Sequence, residues 1–376
     1  MAGTKLIVVE PNMHSYPHSE INAGLLSIMQ EVFPFSTKYF YVSSGHLNAL
    51  QDFFDHKKWK VRNINVIPFT PWRIPLLDLI LMFRLLFIYY KMHKDDHLIL
   101  LGIYPLSNWV LSLLNRFSKR NVLICLHGQM ESYLQNTTIG VSKHYYNLSK
   151  HVFKQKDYLR YIVFGQSIFN NVSFLFPDHS KAIIIDQPYV YDNESYGEIL
   201  GAPPLNLGFL GRFDKTKNVQ SAFNLFQAAK DLRDRGLVKI SIIGRVSEEY
   251  IGKFDNDISF SSDSLPRDKF IEEVLKQNFI ISFTGPSFYR ATPSGVFFDC
   301  IKYGKPLIAL RNEYLEYYFK KYCALGYLCD SVEEMYSIIK DLAENPQHLV
   351  DFQESFDTVR TELGLSKIAE RLKEAL

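Results

Sequence analysis

Residues 281–310 read ISFTGPSFYRATPSGVFFDCIKYGKPLIAL, and the fold follows from this stretch. An apolar run, Ile280 to Phe283, ends in a Gly-Pro-Ser turn. A helix is expected to start near Ser294-Gly295, and Lys305-Pro306 leads into a second apolar run, Leu307 to Leu310. Strand, loop, helix, strand is the unit from which parallel sheets are built. Ser294 and Gly295 would leave unpaired backbone N–H groups at the helix start with the positive end of its dipole behind them, a good seat for a phosphate. One turn on, Asp299 offers a carboxylate able to grip a ribose. An ordinary βαβ unit with a serine cap is the plainer alternative.

Working outward, short apolar runs recur at Leu6–Val9, Lys38–Val42, Val66–Phe69, His97–Leu101, Val122–Leu126, Tyr161–Phe164 and Ala182–Ile185, with helical patterns between several of them. This alternation predicts a doubly wound parallel sheet. It stops at Asp186–Pro204, a stretch rich in Pro, Gly, Tyr and acids that reads as a linker. It restarts with strands at Leu205–Leu210, Val238–Ile243 and Phe279–Phe283, and helices at Val219–Arg235, Arg267–Lys276, Ser331–Glu344 and Leu365–Ala375. The expectation is α/β architecture with two Rossmann-like domains facing a central cleft. Residues 1–190 are expected to form the first domain, 191–204 the linker and 205–362 the second domain. Residues 363–376 form a terminal helix that packs back on the first domain.

Bulk properties narrow the function. The chain has 376 residues, 47% hydrophobic and 22% charged, so it is globular and long enough for two domains. A net charge of +2 gives no case for nucleic acid as a partner. Cys125, Cys300, Cys323 and Cys329 show no CxxC spacing; Cys125 and Cys300 lie in apolar elements and read as buried thiols of a reducing cytoplasm. No signal peptide is expected, because MAGTKLIVVEPN runs directly into a strand. Residues Ile74 to Tyr90 (IPLLDLILMFRLLFIYY) are apolar nearly all round but short of a bilayer span, with Asp78 and Arg84 inside. Two readings stay open: a helix buried in the first domain, or one lying on a membrane surface, which flanking Trp72, Arg73, Lys91 and Lys94 would suit.

Loops at the carboxyl ends of strands line the ligand crevice of an open α/β sheet. His14, His18 and Glu20 follow the first strand and are placed for substrate contact, unless Ser19 or Asn22 caps a helix and the histidines are merely solvated. His127-Gly128 follows the buried run Val122–Leu126 and can reach a ligand. The usual nucleotide fingerprints are missing: there is no GxGxxG after a first strand and no GxxxxGK[ST]. Asp255-Asn256-Asp257 has a DxD form, but a solvated turn is the simpler reading. No His, Cys or carboxylate cluster has metal-ligand spacing, so no metal or other cofactor is expected. What remains is cationic. Gly211-Arg212-Phe213-Asp214-Lys215-Thr216-Lys217 puts positive side chains on one strand-to-helix loop; Arg212 can hold phosphate oxygens bidentately and Lys217 adds a compact charge. Together with the Ser294-Gly295 amides they would neutralise a diphosphate leaving group without metal.

These residues resemble the retaining GT-B glycosyltransferases called group one or family four. That family's second domain carries G-R-[hydrophobic]-x-x-x-K, matched by Gly211, Arg212, Phe213 and Lys217. It also carries E-x7-E followed by G-x-P-[VI]-[IV]-A, matched in its second half by Phe298 to Ala309. The resemblance implies that Arg212 and Lys217 hold the donor diphosphate and Asp299 the ribose. It also implies that Leu265 flanks the base and that His127 touches the donor sugar. The sequence departs from the pattern at three points: the first glutamate falls on Ala291, the second is the shorter Asp299, and the family's glycine-rich first loop is absent, replaced by His14 to Glu20. Arg290 or Ser294 could replace the missing carboxylate. Retaining enzymes of this kind are thought to need no protein nucleophile; were the reaction inverting, Glu20 is the candidate base. The implied function is transfer of a hexose from a nucleoside-diphosphate sugar to a glycan or lipid-linked glycan at the cytoplasmic membrane face, as in surface-polysaccharide synthesis. A nucleotide-sugar epimerase or hydrolase on the same fold, or a binding protein without catalysis, are the alternatives.

Overall fold

The computed structural model describes residues 3–16, 18–66, 74–134, 150–191, 204–263, 265–285, 289–322 and 325–376. The chain forms two compact units: residues 1–190 with 291–293 and 363–376, and residues 191–290 with 294–362.

The first unit is a seven-stranded parallel sheet. Its strands are β1 (Lys5–Val9), β2 (Thr37–Val42), β3 (Lys60–Asn63), β4 (His97–Leu100), β5 (Asn121–Leu126), β6 (Leu159–Phe164) and β7 (Ala182–Ile185), in the order β3-β2-β1-β4-β5-β6-β7. Helices α1 (Ser19–Val32) and α2 (Ser44–Leu50) connect the strands that step one way, and α3 (Ile74–Lys91) and α4 (Pro105–Ser118) lead into those stepping the other. The central strands are covered on both faces, so they are apolar along their whole length: Leu98, Ile99 and Leu100 are fully buried. Leu25, Leu26 and Met29 of α1 pack on Leu6, Val8, Ile99 and Ile162, and Ile368, Ala369 and Leu372 of the helix Leu365–Ala375 join the same core. Arg371 of that helix pairs with Asp186 at 3.0 Å. Gly24 of α1 lies against Pro188, whose Cβ would stand 2.9 Å from an added Cβ.

The second unit is a six-stranded parallel sheet of β8 (Leu205–Leu210), β9 (Val238–Arg245), β10 (Ser259–Ser261), β11 (Phe279–Ser282), β12 (Leu307–Leu310) and β13 (Gly326–Cys329), ordered β10-β9-β8-β11-β12-β13. Two doubly wound sheets are thus present, each with one point where the strand order reverses: between β1 and β4, and between β8 and β11.

Several elements differ from the sequence reading. The expected strand Val66–Phe69 falls mostly outside the described residues, as do most of the linker 191–204 and all of Trp72, Arg73 and Cys323. A strand that the sequence reading did not include, Lys60–Asn63, forms an edge of the described sheet, where an exposed position needs no apolar run. The helix expected over Val219–Arg235 breaks at Ala229 into Val219–Ala228 and Lys230–Asp234. Asp255 and Asp257 are not a free solvated turn. Both carboxylates grip the guanidinium of Arg233, Asp255 at 2.6 Å, and the Arg233 side chain is 1% exposed.

The helix α3 buries one apolar face in the first unit and leaves another exposed. Leu77, Leu81, Leu85 and Ile88 are buried, whereas Leu76, Leu79, Phe83, Phe87 and Tyr90 are exposed. Its rotation is fixed by polar contacts to α4. The fully buried Asp78 accepts hydrogen bonds from the backbone N–H of Leu106 (2.6 Å) and Ser107 (2.8 Å) and from the Ser107 hydroxyl, capping the start of α4. At the far end the Tyr89 hydroxyl donates to Asn115 Oδ1 at 2.8 Å. No described helix is long and apolar enough to cross a membrane.

Candidate active site

In the second unit the strand order reverses between β8 and β11, and the loops leaving those two strands carry the residues singled out above. In doubly wound sheets such a reversal opens the crevice where ligands bind. Gly211 follows β8 with φ +87, its N–H donating to Ile243 O at 2.9 Å. Next to it Gly244 has φ +144, and a Cβ there would lie 2.2 Å from the Gly211 carbonyl, so the crossing of the two strand ends requires glycine. Arg212 is exposed and pairs with Asp214 at 3.5 Å. The Lys217 ammonium contacts the Tyr289 hydroxyl and stands 4.7 Å above that ring. Asn218 Nδ2 donates to Phe283 O at 3.1 Å. The two loops are therefore tied together by Lys217–Tyr289 and Asn218–Phe283. Tyr289 itself is held at φ +56, a left-handed conformation that costs a bulky residue energy and persists only where its surroundings enforce it.

Ser294 caps the helix Gly295–Tyr303 as expected from its sequence, its hydroxyl accepting from the Phe297 N–H at 3.4 Å. Gly295 is exposed, and a Cβ there would meet nothing. Asp299 is partly exposed in the second turn, and Leu265, also partly exposed, precedes the helix Arg267–Leu275. Arg290 is engaged with Glu313 at 3.4 Å.

In the first unit His127 directly follows β5. Its ring stands 5.2 Å from that of His18 and 5.1 Å from Phe164. Burial, reinforced by His18, lowers its pKa well below the ordinary imidazole value, while a hydrogen bond with the Leu101 backbone opposes the shift. The ring is thus neutral at pH 7: one N–H goes to a carbonyl and the other nitrogen is an acceptor. The sign for stability follows. Below about pH 6.5 the unfolded chain takes up a proton that the folded ring resists, so this group's contribution is present above that pH and is lost on acidification. His127→Gln should flatten the fall in melting temperature between neutral and mildly acid pH. An unchanged pH slope in calorimetry would show that the ring is solvated.

His14 is exposed, and so is His18, which starts α1 at φ 62 without a side-chain cap. Neither Ser19 nor Asn22 caps the helix. Asn22 Nδ2 instead donates to Glu10 Oε2 (2.8 Å) and lies 2.9 Å from His46 Nε2, whose Nδ1 is 2.6 Å from Ser15 O. Because a carbonyl only accepts, His46 carries its proton on Nδ1 and accepts from Asn22 on Nε2. Glu10 Oε1 also takes the backbone N–H groups of Asn12 and Met13. This buried chain shapes the loop after β1, and Glu20 is buried in the first turn of α1.

A carboxylate from another element stands at Ala291. Glu131, in the short helix α5 (Glu131–Leu134), accepts from the Ala291 N–H at 2.7 Å and lies 3.4 Å from the Thr292 hydroxyl. Sequence reading missed Glu131, Tyr289 and the Glu10–Asn22–His46 chain. Only Glu10 carried a signal, as the first residue past a buried strand. Among the described residues no group of His, Cys, Asp and Glu could hold a metal ion.

No protein-family model matches the chain, and no curated protein matches it in sequence. Solved structures do match its fold. HepE of Anabaena, in complex with UDP, aligns with TM-score 0.66 at 12% identity over 99% of both chains. Sucrose-phosphate synthase of Thermosynechococcus elongatus aligns with TM-score 0.68 at 12% identity over 98% of both. The lipopolysaccharide outer core galactosyltransferase WaaB, in its apo form, gives 0.62 at 9% identity over 99% of both. At these identities the likeness establishes the fold, and the fold is GT-B.

Proposed function

We propose that this chain is a metal-independent, retaining glycosyltransferase that moves a hexose from a nucleoside-diphosphate sugar to a glycan or lipid-linked glycan. One observation carries the reading: at the strand reversal of the second unit, a cationic loop (Arg212, Lys217) is tied to the loop that ends in the Ser294 helix start. In this proposal Arg212, Lys217 and the Gly295 amide take the diphosphate. Asp299 takes the ribose and Leu265 the base. As the anomeric C–O bond breaks, its electron pair goes to a β-phosphate oxygen, and charge grows where these donors stand. The acceptor hydroxyl oxygen bonds to the anomeric carbon on the same face, and its proton passes to that phosphate oxygen. His127, neutral, accepts from a sugar hydroxyl, and Glu131 positions the Ala291–Thr292 segment. The loop of His14, His18 and Glu20 meets the acceptor. Cytoplasmic location and contact with a membrane face belong to the same reading, because a lipid-linked acceptor is reached there.

The HepE structure contains UDP, which makes UDP the first ligand to try. At a hundredfold excess over its dissociation constant a bound nucleotide stabilises by about 2.7 kcal/mol. The second unit should then melt roughly 5–10 °C higher with UDP, GDP or dTDP, without added metal. No shift with any of them would sink the assignment. A likeness to a putative UDP-N-acetylglucosamine 2-epimerase of Listeria monocytogenes (TM-score 0.60, 10% identity) favours a second reading, isomerisation or hydrolysis of the nucleotide sugar. Turnover without any acceptor would select it.

A further inference from the structure

The exposed side of α3 and α4 is apolar to a degree that solvent does not favour. Phe83 is 62% exposed, Phe87 61% and Tyr90 67% on α3, and Phe117 is 78% exposed on α4. Leu76 and Trp109 extend the same faces. The two helices pack side by side, and right-handed crossovers put both on one face of the sheet. Their exposed apolar side chains sum to on the order of 800 Å², and apolar surface of a few hundred Å² gathered on one face marks an interaction site. The patch is held in place, since the Asp78 cap and the Tyr89–Asn115 hydrogen bond fix α3 against α4.

The surrounding charge identifies the occupant. The only acid on either helix is Asp78, which is buried; the exposed charges there are Lys91 and Arg116, with Lys94 and Lys119 just beyond the helix ends and Asp95 the one exposed acid beside them. The Lys91 ammonium lies 3.8 Å over the Phe87 ring, so cation and apolar face share one edge. We infer that this face docks on an anionic lipid bilayer, with the aromatic side chains in the acyl boundary and the lysines and arginine at headgroup level. Two adjacent helices with apolar outer faces and cations at their ends suit an extended anionic surface. The inference rests on and deepens the membrane contact in the proposed function; lipid binding is measured without nucleotide, so its failure is distinguishable from failure of the nucleoside-diphosphate melting shift.

The test is flotation of the full chain with phosphatidylcholine vesicles, with and without phosphatidylglycerol. The protein should float with the anionic vesicles, much less with phosphatidylcholine alone, and less at high salt. Phe83→Ser/Phe87→Ser should lower the bound fraction about tenfold or more. Lys91→Glu/Arg116→Glu should remove the preference for anionic lipid. Melting curves of both variants should match the parent, since all four side chains are exposed. A parent protein that stays with the unbound fraction overturns the inference, as does a phenylalanine variant that floats as well as the parent. Lipid-free dimers abolished by F83S/F87S, without vesicle binding, would instead assign the face to a second copy of this chain and equally overturn it.

Discussion

Lys217→Ala and Arg212→Ala should each cut sugar transfer by about 10²- to 10³-fold, the usual loss when one fixed donor to a developing anion is removed. Neither should disturb the fold. The Arg212 side chain is 65% exposed, with one ion pair to its own loop, and exposed substitutions of this kind change stability by at most about 0.5 kcal/mol. Lys217 has a second attachment, to Tyr289, so its loss also frees one link between the loops. The nucleoside-diphosphate melting shift separates these effects. If Lys217 serves the phosphate, the alanine variant loses the shift while its ligand-free melting temperature stays put. Full transfer activity in both variants would remove the anion site from the mechanism.

The largest effect on stability is expected at Asp78. Replacing it with alanine leaves the Leu106 and Ser107 amides without their acceptor beside a position that is fully buried, while the Ser107 hydroxyl keeps the residue-78 carbonyl. Such loss costs about 3 kcal/mol. For a unit of this size that lowers the melting temperature by roughly 6–12 °C, measured by circular dichroism. Asp78→Asn should fall between, since an amide oxygen can still accept but without charge at the helix start. A shift for Asp78→Ala inside about 2 °C would mean that water or a rearranged loop satisfies those amides.

What the sequence revealed depended on how many faces an element buries. Inner strands such as Asn121–Leu126, apolar from Val122 onward, and Leu307–Leu310 are covered on both sides and announce themselves as apolar runs. The edge strands Lys60–Asn63 and Ser259–Ser261 meet water and carry no such mark. The same holds at the candidate site. Gly211, Arg212 and Ser294 sit at strand-to-helix junctions, a position visible in the chain itself. Glu131 reaches Ala291 across 160 positions and Lys217 reaches Tyr289 across 72, contacts that only the folded chain creates. The paired aspartates 255 and 257 show the converse error: their spacing suggested a free turn or a metal, whereas a partner more than twenty positions upstream decides their role.

The return of Leu365–Ala375 to the first sheet has a consequence for synthesis. A ribosome makes the seven strands of that sheet early, yet Ile368, Ala369 and Leu372 belong to its core. Until those residues emerge from the exit tunnel, the outer side of Ser19–Val32 stays uncovered. The portion translated first is therefore the one that finishes folding last, after the whole second sheet has been made, and nascent chains halted before residue 365 should be the ones that chaperones retain.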